Sequence, residues 1–343
     1  MTDTLYSAIA RREATVNRDY ADFARQAGAT APQLPRTRAA ADEVMALAGV
    51  DSTNILARTM LASGELPVID AAGRPRVAAI CADAQTAGHG RLGRQWSAQA
   101  GGASFLVTYA TALPERLVID PNRNGWFTIA AGLASLDALN SALAECGAKP
   151  RDPSHRLELK WPNDIFYNGH KLGGILAELV ELPDKANMLV APQLPAQDDS
   201  EREPVESMAQ HGERAVGVMF GIGMNLDIAR EALPTPISTS LQLLYAPLPD
   251  PPMLRDMVAA RLAESLRSRL TRLAFGPQEA FDYLLNEARA ACWTLGRQVE
   301  AKFTDGSTLT GSALSLNPDA SLVIEDEHGA RRTVHTADVG VLA

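Results

Sequence analysis

Cysteine is scarce in this 343-residue chain: Cys81, Cys146 and Cys292 are the whole set, and they lie far apart. Neither a disulfide framework nor a metal-ligand spacing can be built from them, which points to a reducing cytoplasm. Long apolar runs are missing as well. No stretch approaches the ~18 consecutive apolar residues of a membrane span, and the first 14 residues hold no apolar signal core, so no membrane partner is expected. Positive charge is in deficit. The 32 Lys and Arg face 41 Asp and Glu, a formal net charge of −9, and no nucleic-acid partner is expected. The length suggests two or three domains and allows a sizeable core.

What is present is concentrated in a few segments. From Gln85 to Trp96 the chain reads Gln-Thr-Ala-Gly-His-Gly-Arg-Leu-Gly-Arg-Gln-Trp. Glycines let a backbone close around a ligand, and guanidinium groups clamp phosphate or carboxylate oxygens. Gly88, Gly90 and Gly93 with Arg91 and Arg94 therefore predict a lid over an anion. The glycines also satisfy the dinucleotide pattern G-x-G-x-x-G, after a strand-like run at Val77–Ala82. That motif must run into a helix, and none of adequate length fits between Gly93 and the next strand-like run at Ser104. A nicotinamide oxidoreductase is thereby disfavoured.

A second segment, Lys160-Trp161-Pro162-Asn163-Asp164, follows a short strand-like run. A hairpin turn at Asn168-Gly169 then leads to Lys171-Leu172-Gly173-Gly174-Ile175, a strand with a glycine pair at its start. A lone lysine at a strand end is usually a solvated surface group; Trp and Pro beside it favour a held one. A third segment, Ala215–Phe220, is expected to end as a strand at Gly221-Ile222-Gly223-Met224-Asn225. Upstream, Asp51-Ser52-Thr53-Asn54 reads either as a helix N-cap or as hydroxyl and amide partners for a polar ring.

In this order the five segments resemble biotin protein ligases, over about residues 43–343. The resemblance implies a mixed β-sheet flanked by helices, an α+β catalytic domain like that of class II aminoacyl-tRNA synthetases, closed by a C-terminal SH3-like barrel. It implies ATP, Mg²⁺ and biotin as ligands, biotinyl-5′-AMP as intermediate, and a lysine on a biotin carboxyl carrier domain of acetyl-CoA or a related carboxylase as acceptor. Lys160, Arg91 and Arg94 would be catalytic. Ser52, Thr53, Asn54, Gln85, Gly88, His89, Gly90, Arg91, Lys160 and Gly173 would surround biotin. Arg91, Arg94, Trp96, Lys160, Asn163, Lys171 and Asn225 would face the adenylate. The chain departs from the family at His89, where arginine is common; a role through the backbone N–H tolerates that exchange. Neither the metal ligands nor the base for the second step is visible, and Asp164 reads as a structural partner of a nearby cation. Lipoate and octanoyl transferases share the fold but lack the double-arginine loop, and a non-catalytic biotin-binding module would not need Lys160 or Arg94.

The remaining chain divides accordingly. Residues 1–40 read as a helical extension (Leu5–Gln26) with a Pro-rich linker, too short and polar for a DNA-binding head, so a ligase-only form is expected. Residues 41–293 form the catalytic domain and 294–343 the small barrel. Leu61–Arg76 is expected as an extended surface loop, and Trp126–Leu143 as the main core helix. Residues 183–212, with four prolines and many acids, read as a mobile insertion, or else as a docking loop. Self-pairing into a homodimer is left open.

Overall fold

The structure, a computed structural model, describes residues 2–184, 187–189, 212–276 and 279–342. Helices α1 (Thr2–Asp19), α2 (Ala21–Ala27) and α3 (Pro35–Ala40) lead into strand β1 (Glu43–Val50), helix α4 (Thr53–Ser63) and strand β2 (Ala78–Gln85). Strand β3 (Ser104–Pro114), helices α5 (Glu115–Ile119) and α6 (Trp126–Glu145), and strands β4 (Lys149–Pro150), β5 (Leu157–Lys160), β6 (Asp164–Tyr167) and β7 (His170–Glu181) follow. Then come β8 (Met188–Leu189), β9 (Glu213–Asn225), α7 (Leu241–Leu244), β10 (Tyr245–Ala246), α8 (Pro251–Phe275) and α9 (Glu279–Ala291). Strands β11 (Gln298–Lys302), β12 (Thr308–Leu316), β13 (Leu322–Asp326), β14 (Arg331–Val334) and β15 (Asp338–Val341) end the chain.

The main sheet has the order β1-β2-β3-β9-β7-β6-β5, with β8 beside β9. Only the β1–β2 pair is parallel within it, so the sheet is mixed. The central strands are apolar on both faces because both faces are covered. Val44 and Ala46 join one core with α6 and α8, while Met45 and Leu47 join another with α1 and α4. Helix α6 is apolar enough in composition to cross a membrane, but it is packed mostly inside the fold, and Trp126 is fully buried as expected.

The first 40 residues are tied in more closely than a linker implies. Strand β1 is a sheet edge, and α1 satisfies part of its free backbone: Glu13 Oε2 accepts from Ala46 N (3.1 Å), and Asn17 Oδ1 from Ala48 N (2.8 Å). Where the Pro-rich linker was expected, α3 begins at Pro35, a residue suited to the first helical position. Its Thr37 hydroxyl and N–H both bond to Asp256 on α8. The expected surface loop at 61–76 is also shortened, since α4 continues to Ser63 and Leu66 and Val68 are buried.

Most of the expected insertion at 183–212 lies outside the described residues. Its apolar pair Met188–Leu189 is an exception, forming β8 against Glu213 and Arg214 with Leu189 buried. Burial of that one leucine explains why this short piece is held in the sheet.

The C-terminal sheet is five-stranded and antiparallel, in the order β14-β13-β12-β11-β15. It docks through indole hydrogen bonds: Trp126 Nε1 donates to Pro318 O (2.8 Å) and Trp161 Nε1 to Ala320 O (2.9 Å). Trp161 N adds a bond to Thr294 Oγ1 at 2.9 Å.

Candidate active site

A cavity of about 380 Å³ opens over the end of the main sheet. Its polar wall comes from the start of α4 and the end of β2. Ser52 is the N-cap of α4, yet its side chain makes no capping bond. Gln85 takes over that task, its Oε1 accepting from Thr53 N at 2.8 Å. Ser52 has the position of a cap, and its hydroxyl remains free to meet a ligand in the cavity.

Asn54 lines the cavity and is also tied into its wall. Its Nδ2 donates to Glu178 Oε2 (2.7 Å) and its Oδ1 accepts from the Thr108 hydroxyl (2.6 Å). Thr108 Oγ1 also lies 2.8 Å from Thr53 Oγ1. These bonds fix the amide's orientation in the wall.

The cationic wall is built on the β5–β6 and β6–β7 hairpins. Lys160 ends β5, Asp164 begins β6, and Lys171 lies near the start of β7. Asp164 Oδ1 accepts from Lys171 Nζ at 2.7 Å, and Asp164 Oδ2 is 3.7 Å from Lys160 Nζ. One carboxylate therefore spaces two ammonium groups, which bears out Asp164 as a structural partner. Burial pushes the Lys160 ammonium below the usual lysine range; Asp164 resists that shift and Lys171 adds to it. Asn163 is fixed by exchange of hydrogen bonds with Ile175, its N–δ2 group donating to Ile175 O and its carbonyl accepting from Ile175 N, both at 2.9 Å.

The glycine-rich loop closes the third side. Arg91 Nη1 donates to Asn163 Oδ1 at 3.1 Å, and burial lowers the pKa of its guanidinium while Asp164 and Asp338 oppose this. Arg94 instead pairs with Asp338 at the start of β15, and that hydrogen bond raises its pKa. The loop is folded on itself by Gly90 N to Arg94 O (2.7 Å) and Trp96 N to Gly88 O (2.9 Å).

Strand β9 does not end at the Gly-x-Gly motif; it continues through Gly221 and Gly223 to Asn225, paired on both sides. The missing side chains make room. A Cβ on Gly223 would lie 2.5 Å from Trp96 Cε2, and one on Gly221 would overlap the Asn54 amide. Asn225 lines the cavity while its Nδ2 donates to Thr239 O at 2.9 Å. Trp96 Nε1 is buried without a hydrogen-bond partner, a donor awaiting an acceptor.

The cavity thus gathers Ser52, Thr53, Asn54, Gln85, His89, Gly90, Arg91, Arg94, Trp96, Lys160, Asn163, Lys171 and Asn225. Gly88 and Gly173 lie behind its surface. A Cβ on Gly88 would meet the Trp96 backbone and one on Gly173 would meet Gly223 O, so both positions require close packing. Residues not anticipated from sequence complete the lining. Leu106, Ile175, Leu176 and Ile222 give it an apolar floor, Pro234–Ser238 a rim, and Ala337, Asp338 and Val339 a contribution from the C-terminal sheet.

A cleft of this kind, polar at one wall, cationic at another and apolar beneath, suits an enzyme whose ligand carries both an anionic group and an apolar body. The fold agrees: the structure of biotin protein ligase from Aquifex aeolicus in complex with biotin and ATP superposes with a TM-score of 0.55 at 20% identity, covering 86% of this chain and 96% of that one. The chain belongs to the biotin/lipoate A/B protein ligase family, whose profile matches residues 75–190. It is 30% identical over 262 residues to a biotin–[acetyl-CoA-carboxylase] ligase of Mycobacterium tuberculosis, covering 76% of this chain and 77% of the relative. It is 25% identical over 268 residues to the bifunctional ligase/repressor BirA of Bacillus subtilis, of which it spans 66%.

Proposed function

We propose that this protein is an ATP-dependent biotin ligase that attaches biotin to a lysine of a biotin carboxyl carrier domain, by way of biotinyl-5′-AMP. The observation that carries this reading is the convergence of Lys160, Lys171, Arg91 and Arg94 with the Ser52–Thr53–Gln85 wall on one cavity. An apolar-tailed acid such as lipoate would leave those polar groups without partners, whereas a ureido ring supplies both donors and acceptors.

In the first step a biotin carboxylate oxygen attacks the α-phosphorus of ATP. A P–O bond forms, the bond to the β-phosphate oxygen breaks, and pyrophosphate leaves with the electron pair. Two anions must meet, so the local need is positive charge that is already in place. Lys160, held but not neutralised by Asp164, bridges carboxylate and α-phosphate; Arg91 covers the phosphates, and Trp96 and Asn225 border the adenine. In the second step the carrier lysine, as the free amine, attacks the carbonyl carbon and AMP departs.

Mg²⁺ enters as the counter-ion of the triphosphate. The cavity's carboxylates, Asp164 and Asp338, are each already paired with a cation, and the described residues hold no cluster of three His, Cys, Asp or Glu that would form a resident metal cage. We read residues 41–293 as the catalytic domain and the C-terminal antiparallel sheet as an SH3-like barrel docked on it. The three cysteines are all free, which fits a reducing cytoplasm.

The decisive experiment is biotin-dependent ATP–pyrophosphate exchange. It should be present in the purified protein and fall by about 10²-fold or more in Lys160→Ala. Absence of exchange with biotin in the unaltered protein overturns the assignment.

A further inference from the structure

We propose that Asp338 sets the affinity for the nucleotide, standing in for a phosphate on Arg94 until ATP arrives. The inference rests on the adenylation reading above and adds a residue of the C-terminal sheet to it.

Arg91 and Arg94 belong to one loop but are held differently. Arg91 bonds to the neutral side chain of Asn163, which leaves its charge uncompensated by any contact. Arg94 is ion-paired with the Asp338 carboxylate, contributed by an edge strand of the other sheet. Both partners line the same cavity. Burial raises the Asp338 pKa, but the Arg94 hydrogen bond outweighs it, helped by the fields of Lys160 and Arg91, and keeps the group ionised. Asp338 thus sits among the cations expected to receive the polyphosphate.

An incoming phosphate must take Arg94 from this carboxylate and then lie beside it as a like charge. Nucleotide binding therefore works against Asp338. Biotin carries one carboxylate, directed to Lys160, and does not need Arg94. The influence of Asp338 is accordingly greater on the nucleotide than on biotin, which meets it only through the field at Lys160. A purely supportive role, in which Asp338 aims Arg94 at the substrate, predicts the opposite sign.

The test uses the full chain with Asp338→Asn and Asp338→Ser, assayed by biotin-dependent pyrophosphate exchange. A partly exposed ion pair is worth roughly a factor of two to five. The KM for ATP is expected to fall by about that factor, with a smaller change in the KM for biotin. In an Arg94→Ala background the same substitution should lower the KM by less, since only the like-charge repulsion is left to relieve, and Asp338→Glu, which keeps the charge, should keep the original KM. An unchanged or raised KM for ATP in both Asn and Ser variants overturns the proposal. Because Asp338 lies on a partly exposed strand edge, thermal melting of the variants serves as the folding control. A parent protein with no biotin-dependent exchange would fail the adenylation reading itself, a result distinct from an unaltered KM.

Discussion

The indole of Trp96 occupies the space left open by Gly223: a Cβ there would come within 2.5 Å of Cε2 and 2.8 Å of Nε1. The loop that carries the arginines is thus seated on the middle of the sheet by a missing side chain. Gly223→Ala should push the indole outward and raise the KM for ATP, with a smaller effect on global stability. A crystal structure or a shift in Trp fluorescence would check the displacement. An unchanged KM with an unmoved indole would show that the contact is not what seats the loop.

The pH dependence follows from Lys160. Its working form is the ammonium, and burial has lowered its pKa, so the charged fraction declines as pH rises through that lowered value. kcat/KM for exchange, which reports the free enzyme, should therefore bend downward on the alkaline side below the ordinary lysine value of ~10.4. Lys160→Arg should remove this limb while lowering the rate, because arginine stays protonated throughout. A limb that survives in the arginine variant belongs to another group.

Arg91 is the loop's tie to the Lys160 hairpin, through Asn163. Its replacement by glycine removes both that hydrogen bond and a cation over the adenylate. The expected result is release of biotinyl-5′-AMP and modification of lysines on bystander proteins. Streptavidin blotting of the variant mixed with an unrelated lysine-rich protein reads this directly. Labelling confined to the carrier domain would show that retention depends on other residues.

Stability has its own weak point away from the cavity. Asp83 and Arg255 form a buried ion pair at 2.6 Å, and Asp83 also accepts from the N–H groups of Thr30, Gly101 and Gly102. Three segments distant in sequence are joined at this carboxylate. Asp83→Asn leaves the Arg255 charge buried and unpaired, which should cost about 3–5 kcal/mol in urea unfolding. Burial raises the Asp83 pKa, yet the Arg255 hydrogen bond and the backbone donors outweigh it, leaving the net value below the ordinary carboxylate. Its contribution is consequently present above the unfolded pKa of ~3.9 and is lost as pH falls through the depressed folded value. An unfolding free energy equal to the parent's would remove the pair from the stability account.

Much of the site could be read from sequence because its motifs carry dense local chemistry. Glycines beside arginines, or lysine beside Trp-Pro, are unusual enough to mark a ligand site, and 13 of the expected residues do line the cavity. The strand–turn–strand reading around Asn168-Gly169 was equally direct, since both residues take positive φ. What escaped was contact between parts far apart in the chain. Nothing local distinguishes Asp338 from other surface aspartates; only docking of the small sheet brings it to Arg94. The partners that orient the Asn54 amide, Thr108 and Glu178, likewise lie far along the chain. The Gly221–Gly223 motif suggests a strand end or a close approach to the backbone; in the structure the strand runs on, and the space of the missing side chains is taken by Asn54 and Trp96.

The docking of the small sheet has a spectroscopic consequence. Of the four tryptophans, Trp126 and Trp161 hydrogen-bond across the seam between the two sheets, Trp293 packs on Phe166 where the chain passes into the small sheet, and Trp96 sits in the cavity. Intrinsic emission from this protein is therefore largely a gauge of whether its two parts remain joined. Replacing the other three indoles with phenylalanine would leave a single optical reporter whose colour follows occupancy of the cleft.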